Sequence, residues 1–242
     1  MHLSVIIPSY NGEKDLPGTL EAVRGYLSRQ SYDWEVLVVS DGSKDKTSET
    51  VARMQPAMPN LKLLDNKTNH GKGWVVRQGM LAASGDYRIF MDDDNSTTLD
   101  QIESFWPYTK QGYDVVIGSI EAAGAKINEN AQWYRRWLGH MSKYIIRVVA
   151  GLWEIKDTQR GFKLFSAKAA KDIFSRTKID RFGFDIEVLA LAQKMGYKIK
   201  ELPVIWNNPG ASSVSLKSYV AVFMELMKIR LNLWRNKYSI NQ

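Results

Sequence analysis

The chain has 242 residues, a net charge of +7, 44% hydrophobic residues, three histidines and no cysteine. That length and apolar content exclude a disordered chain and support one large α/β core. The lack of cysteine excludes disulfides and thiolate metal sites, three scattered histidines argue against zinc, and the basic balance suits anionic partners: nucleotides, nucleic acid or an acidic lipid surface.

Residues 3–8 (LSVIIP) form an apolar, β-branched run stopped by proline, which predicts a first buried strand. The start has no basic n-region and no long apolar h-region, so no secretory leader is expected. A turn at 9–12 precedes a helix over 16–29. Residues 34–39 (WEVLVV) predict a second strand, 47–54 a helix broken off by Pro56 and Pro59, 61–64 a third strand, 71–83 a helix and 87–91 a fourth strand. This alternation predicts right-handed βαβ units on a mostly parallel, Rossmann-like sheet. The second half is less regular: strands at 114–118 and 162–165, a helical stretch at 131–153, a helix at 185–195, a strand at 198–206 broken by Pro203, and a terminal helix at 218–235. No apolar run approaches the ~20 residues of a membrane-spanning helix, so a cytosolic location is expected.

The most informative stretch ends the fourth strand. An apolar run stops at Asp92, Asp93 and Asp94, followed by Asn95, Ser96 and Thr97. Ligands bind at such strand ends in parallel sheets. Adjacent carboxylates repel unless positive charge lies among them, so Mg²⁺ or Mn²⁺, shared with substrate phosphates, is the natural partner. The bland alternative is a solvated acidic turn capping a helix near Thr98. Asp41, at the end of the second strand, suits a base or ribose, or merely a turn before Gly42. Asn69-His70-Gly71-Lys72-Gly73 opens the third helix with Arg77 one turn in, and a glycine-rich helix start lets backbone N–H groups approach a phosphate.

Within 131–153, Arg136, His140, Lys143 and Arg147 share one helix face, and Trp133, Trp137, Met141, Tyr144 and Val148 a neighbouring one. A basic stripe beside an aromatic one suits a helix lying in a membrane interface. The terminal helix carries Val220, Phe223, Met227, Leu231 and Trp234 at helical spacing, and there core packing is the preferred reading. Asp157, Asp185 and Glu187 lie in polar islands beside apolar runs. Periodicity leaves each open as a base, a ligand or a cap.

Those residues resemble the inverting family-2 glycosyltransferases of GT-A fold, most of all the branch that makes polyprenyl-phosphate sugars, the dolichyl-phosphate glucosyl- and mannosyltransferases. The matching elements are Val5-Ile6-Ile7-Pro8-Ser9-Tyr10-Asn11, Ser40-Asp41-Gly42-Ser43-Lys44-Asp45-Lys46-Thr47, Gly71-Lys72-Gly73 with Arg77 and Gly79, Asp92-Asp93-Asp94, Asp157-Thr158-Gln159 with Gly161-Phe162-Lys163, Phe184-Asp185-Ile186-Glu187, and Pro203-Val204 with Trp206. Three positions depart from the pattern: Ser40 replaces an aspartate, Gly12 follows Asn11 where glutamate is common, and Ile120 stands where arginine often follows Gly-Ser.

The resemblance implies one GT-A domain, with a nucleotide-sugar half (1–97), an acceptor half (98–215) and a C-terminal amphipathic helix (216–242). It implies transfer of a hexose from a nucleotide-sugar, of UDP-glucose or GDP-mannose type, to a polyprenyl phosphate. Glucose is favoured because Asp94-Asn95-Ser96-Thr97 looks like the glucosyl branch. Asp92, Asp94 and Ser96 would hold Mg²⁺ or Mn²⁺, with Asp92, Asp94 and Asp185 as the catalytic carboxylates. Pro8, Tyr10, Asn11, Glu13, Asp41, Lys72, Arg77 and Asp93 would bind the nucleotide-sugar. Arg135, Arg136, Lys143, Arg147, Gln159, Arg160 and Trp206 would bind the acceptor lipid phosphate. Attachment to the membrane surface is expected to be peripheral. Two readings compete: a transferase acting on a sugar hydroxyl, with Asp185 or Glu187 as general base, and a non-catalytic nucleotide-sugar or membrane-surface binding module. Nucleic-acid binding has only the net charge in its favour, and no nucleic-acid motif backs it.

Overall fold

The computed structural model describes residues 1–128, 144–207 and 216–240. The first half follows the expected alternation: β1 (His2–Ser9), α1 (Leu16–Leu27), β2 (Asp33–Ser40), α2 (Thr47–Met54), β3 (Leu61–Asp65), α3 (Lys72–Ala82) and β4 (Tyr87–Met91). The second half adds α4 (Trp106–Lys110), β5 (Val115–Ser119), β6 (Lys126–Asn128), a helix over 144–150 (α5), β7 (Phe162–Ser166), α6 (Ala167–Phe174), α7 (Phe184–Lys194), β8 (Ile199–Pro203), β9 (Ile205–Asn207) and α8 (Leu216–Trp234).

Seven strands form one sheet in the order β3-β2-β1-β4-β7-β5-β8. All neighbours are parallel except β7, which runs antiparallel to both β4 and β5. The sheet therefore joins the two halves of the sequence without a break. Its strands are continuous apolar runs because both faces are covered. On one face Val5, Ile7, Leu20, Val23, Val38 and Phe105 pack together; on the other, Ile6, Val75, Phe90, Phe165, Phe184, Leu226 and Ile229 do so.

Three expectations change. The strand over 198–206 is two strands: Pro203 ends β8, and Ile205 begins β9 in a separate parallel pair with β6. A proline that lacks an N–H donor suits such a strand end. The helix expected over 131–153 is described only at 144–150, and it stops at Gly151, whose φ is +76°. The terminal helix is not packed by its expected stripe. Val220, Phe223, Met227, Leu231 and Trp234 are exposed, and Leu226 and Ile229 are buried instead. Apolar residues occur on both faces of α8, so spacing alone does not select the packed one.

Glu35 of β2 is a buried hub, only 3% exposed. It accepts hydrogen bonds from the Ser4 hydroxyl (2.6 Å), the Ser84 N–H (2.6 Å) and the Lys62 ammonium (2.7 Å). Burial works against its charge, but these donors outweigh it and hold the carboxyl down at about 2. The depressed value means that this contribution is present above the ordinary glutamate range and is lost as pH falls toward 2. Glu35→Gln is therefore expected to cost about 2–3 kcal/mol at pH 7. Denaturant unfolding at pH 7 and pH 3 checks it: the cost should shrink at the lower pH, and an equal cost at both would remove the charge-based account.

Candidate active site

The chain runs from β1 outward through β2 to β3, then returns to place β4 on the other side of β1. The crevice between the carboxyl ends of β1 and β4 is thus the switch point of the sheet, where ligands bind in open α/β folds. Ser9, ending β1, and Asp93, following β4, meet there with a 2.5 Å hydrogen bond from hydroxyl to carboxylate. The Thr19 hydroxyl of α1 donates to the Asp93 carbonyl at 2.6 Å. Burial pushes the Asp93 carboxyl up; Ser9 and Lys72 oppose, Asp92 and Asp94 add, and it lies at about 6.

Asp92 faces the opposite way. Its carboxylate pairs with the Lys72 ammonium from the start of α3. Burial would lower the Lys72 pKa, but Asp92 and Asp185 outweigh it and hold it above its ordinary value. The Asp92 N–H donates to the Gly161 carbonyl at 3.2 Å, and a Cβ on Gly161 would lie 2.3 Å from an Asp92 oxygen. Asp94 accepts the Ser96 N–H at 2.9 Å, and Asn95 between them has φ +53°, a left-handed value that asparagine tolerates. The Asn95 Oδ1 and Thr97 Oγ1 are buried without a hydrogen-bond partner.

This oxygen-rich turn fits a hard cation. Among the described residues no three acidic or histidine side chains stand together as a metal cage. Two carboxylates completed by substrate phosphates is, however, the set that Mg²⁺ commonly uses.

The other sequence-predicted residues fall into three groups. Tyr10, Asn11 and Glu13 line the loop after β1, which is fastened to the loop after β2: the Asn11 Oδ1 accepts the Lys44 N–H at 2.8 Å, and a Glu13 oxygen accepts the Lys46 N–H at 3.2 Å. Pro8 pairs with Val39 within the sheet, and Tyr10 is exposed. Asp41 uses its two oxygens on the N–H groups of His70 (2.7 Å) and Gly71 (2.9 Å), so it braces the glycine-rich helix start.

Arg160 and Trp206 come together, the guanidinium 4.6 Å above the indole, with Asp157 at 3.6 Å from the Arg160 Nε. Gln159 beside them is exposed, and its N–H donates to Asp157 at 3.4 Å. Arg147 donates to the Lys156 carbonyl at 3.1 Å. Arg135, Arg136 and Lys143 lie outside the described residues.

Three of the residues singled out in the sequence are engaged by protein partners. Arg77, expected at the phosphates, instead donates to the Thr177 carbonyl (3.1 Å) and Asp180 (2.7 Å), because one turn into α3 its side chain meets the loop between α6 and α7. Asp185, expected among the catalytic carboxylates, is buried in α7 and paired with the fully buried Lys163. Burial raises its pKa against the pull of Lys163 and Lys72. Glu187 accepts the N–H groups of Lys178 and Ile179 and the Tyr238 hydroxyl, so it is a loop anchor and not an open base. Ser9, Gly161 and Lys163 lie in elements that carry the resemblance, but the sequence assigned them no role, and here they contact Asp93, Asp92 and Asp185. Besides those motifs, the lysine inside the apolar run Phe162-Lys163-Leu164-Phe165 was a signal of its own.

Residues 4–174 match the family described as Glycosyl transferase family 2. The chain is 35% identical over 246 residues to a dolichyl-phosphate beta-glucosyltransferase of Trichomonas vaginalis, covering 97% of this chain and 76% of that one. It is 28% identical to the human dolichyl-phosphate beta-glucosyltransferase, covering 99% and 78%. Glucosyl-3-phosphoglycerate synthase of Mycobacterium tuberculosis, solved with Mn²⁺ and uridine-diphosphate-glucose, superposes with a TM-score of 0.70 at 17% identity, covering 99% of this chain and 80% of that one. The switch-point crevice, the carboxylate turn and these likenesses agree: the chain belongs to glycosyl transferase family 2 and is a glycosyltransferase of GT-A fold.

Proposed function

We propose that the protein transfers glucose from UDP-glucose to a dolichyl or related polyprenyl phosphate, with inversion at the anomeric carbon. The observation that carries the acceptor class is the burial of Asp185 and Glu187. A sugar hydroxyl would need a general base within hydrogen-bond reach. Both carboxylates suited to that role are occupied by protein partners, and Asp157 is taken up by the Ile120 N–H and Arg160. A phosphate monoester is largely ionised at neutral pH and attacks without such a base. The relatives named for dolichyl phosphate support the same reading.

In this reading, Tyr10, Asn11 and the loop braced by Asp41 receive base and ribose. Lys72 and the N-terminus of α3 face the diphosphate with positive charge. Arg160, backed by Trp206, receives the acceptor phosphate. When bound at Asp92 and Asp94, Mg²⁺ or Mn²⁺ supplies neutralisation of the departing nucleotide diphosphate. The site acts at a membrane surface, where the acceptor is held.

The test incubates purified protein with labelled UDP-glucose, Mn²⁺ or Mg²⁺ and polyprenyl phosphate, then extracts with organic solvent. Label in the organic phase is expected. Label found only on a soluble sugar acceptor would replace this reading with transfer to a hydroxyl, and nucleotide binding without any transfer would replace it with a binding module.

A further inference from the structure

We infer that the outward face of α8 is a docking surface for an anionic lipid bilayer. This deepens, and rests on, the reading that the acceptor is a membrane lipid. Six apolar side chains of α8 are exposed, from 39% for Met227 to 79% for Trp234. At about 100° per residue, Phe223, Trp234, Met227, Val220, Leu231 and Met224 fall in one arc about 100° wide. The packed residues Leu226 and Ile229 lie on the opposite side. Arg230 borders the arc on one edge, Lys228 and Arg235 on the other, and all three are exposed.

Such a face is too apolar to be a solvated helix surface, and the helix as a whole is too charged to span a bilayer. Among the described residues no helix is long and apolar enough to cross a membrane. An apolar arc with cationic margins and an outermost tryptophan suits the headgroup boundary of a bilayer.

Two further observations select an anionic lipid surface over a protein partner. The first is a second helix on the same core. The Ile146 and Ala150 side chains of α5 pack into the cluster that holds Leu226 and Ile229, so α5 and α8 cover the same side of the sheet. There α5 also leaves Tyr144 and Val148 exposed, with Trp153 exposed just beyond it. The second is charge. Just past the C-terminal end of α8, Arg176, Lys178 and Lys237 line a cavity of about 310 Å³ together with Ser175, Tyr238 and Ser239, with no carboxylate among them. Positive charge beside the end of α8, added to that of Lys228, Arg230 and Arg235 along the arc, complements lipid phosphates.

The test measures sedimentation of the purified chain with phosphatidylcholine vesicles, with and without phosphatidylserine and free of any polyprenyl phosphate. The wild type is expected to bind the phosphatidylserine vesicles more tightly. The triple variant F223E/M227E/L231E is expected to lose that binding by more than about a hundredfold, since three large side chains leave the apolar phase and three anions enter. Its thermal unfolding and its turnover on a short-chain, water-soluble polyprenyl phosphate should match the wild type, because the altered positions face outward. K228E/R235E should weaken only the phosphatidylserine-dependent part. Unaltered vesicle binding by the triple variant would overturn the inference. So would a wild-type dimer in vesicle-free solution that the triple variant dissolves, since a second copy would then cover the face. Absence of turnover on the soluble acceptor by the wild type would instead strike at the proposed reaction and leave the docking result standing.

Discussion

Asp92→Ala and Asp94→Ala are each expected to lower glucosyl transfer by about a thousandfold or more, near 4 kcal/mol of transition-state stabilisation. In the proposed reaction, charge develops on the departing diphosphate at the switch point between β1 and β4, and these two carboxylates would hold the cation that neutralises it. Asp93 is not equivalent to them, because it is turned inward onto Ser9. Asp93→Ala should therefore act chiefly on the joint between β1 and β4, lowering stability along with activity. Gly161→Ala separates geometry from chemistry. The added Cβ would lie 2.3 and 2.4 Å from the Asp92 oxygens, so the carboxylate must swing away from Lys72. Every ligand atom remains, yet transfer should fall roughly 10–100-fold, as expected when a catalytic group is held about an ångström out of place. Initial rates with labelled UDP-glucose, alongside thermal unfolding of each variant, decide the matter. Asp94→Ala turning over within about threefold of the wild type would remove the carboxylate turn from the mechanism.

The part of the site legible in the sequence is the part built from local turn chemistry at the ends of buried parallel strands. The runs Val36-Leu37-Val38-Val39 and Ile89-Phe90-Met91 are apolar throughout because helices cover both faces of the sheet, and each ends in polar residues where the sheet ends. That abrupt change marked Asp41 and Asp92–Asp94 without any tertiary information. The partners of Arg77 and Asp185 are remote in sequence: Arg77 meets Asp180, 103 residues away, and Asp185 meets Lys163. Nothing in the spacing of either residue encodes those meetings. The facing of α8 was unreadable for a different reason. Its apolar residues populate both the side that packs and the side that does not, so its period is helical but its direction is set by the sheet beneath it.

Lys163→Met is expected to destabilise the protein by about 3–5 kcal/mol, a fall in melting temperature of roughly 6–20 °C. Lys163 is 0% exposed, inside the apolar strand β7. Its ammonium pairs with Asp185, donates to the Arg160 carbonyl at 2.5 Å and lies 5.3 Å from the Phe90 ring centre. Removing it leaves the Asp185 carboxylate buried without its cation. The sign of the pH dependence follows from that. Burial already raises the Asp185 pKa, and loss of Lys163 raises it further, so the native variant favours the protonated acid. The penalty is then small at low pH and grows as pH rises above the ordinary aspartate range; Lys163→Met should be closer to wild type at pH 5 than at pH 8. Lys163→Met/Asp185→Leu removes both charges and should recover most of the stability, as apolar replacements of buried pairs often do. Transfer should not recover with it. The Lys163 ammonium holds the Arg160 carbonyl, and residues 160 and 161 carry both the guanidinium over Trp206 and the glycine against Asp92. A double variant that regains stability but stays about tenfold or more below wild-type turnover identifies the pair as positioning residues for the site. Full recovery of turnover would reduce it to a structural ion pair, and single variants within about 1 kcal/mol of wild type at pH 8 would show that the pair is not buried as the structure has it.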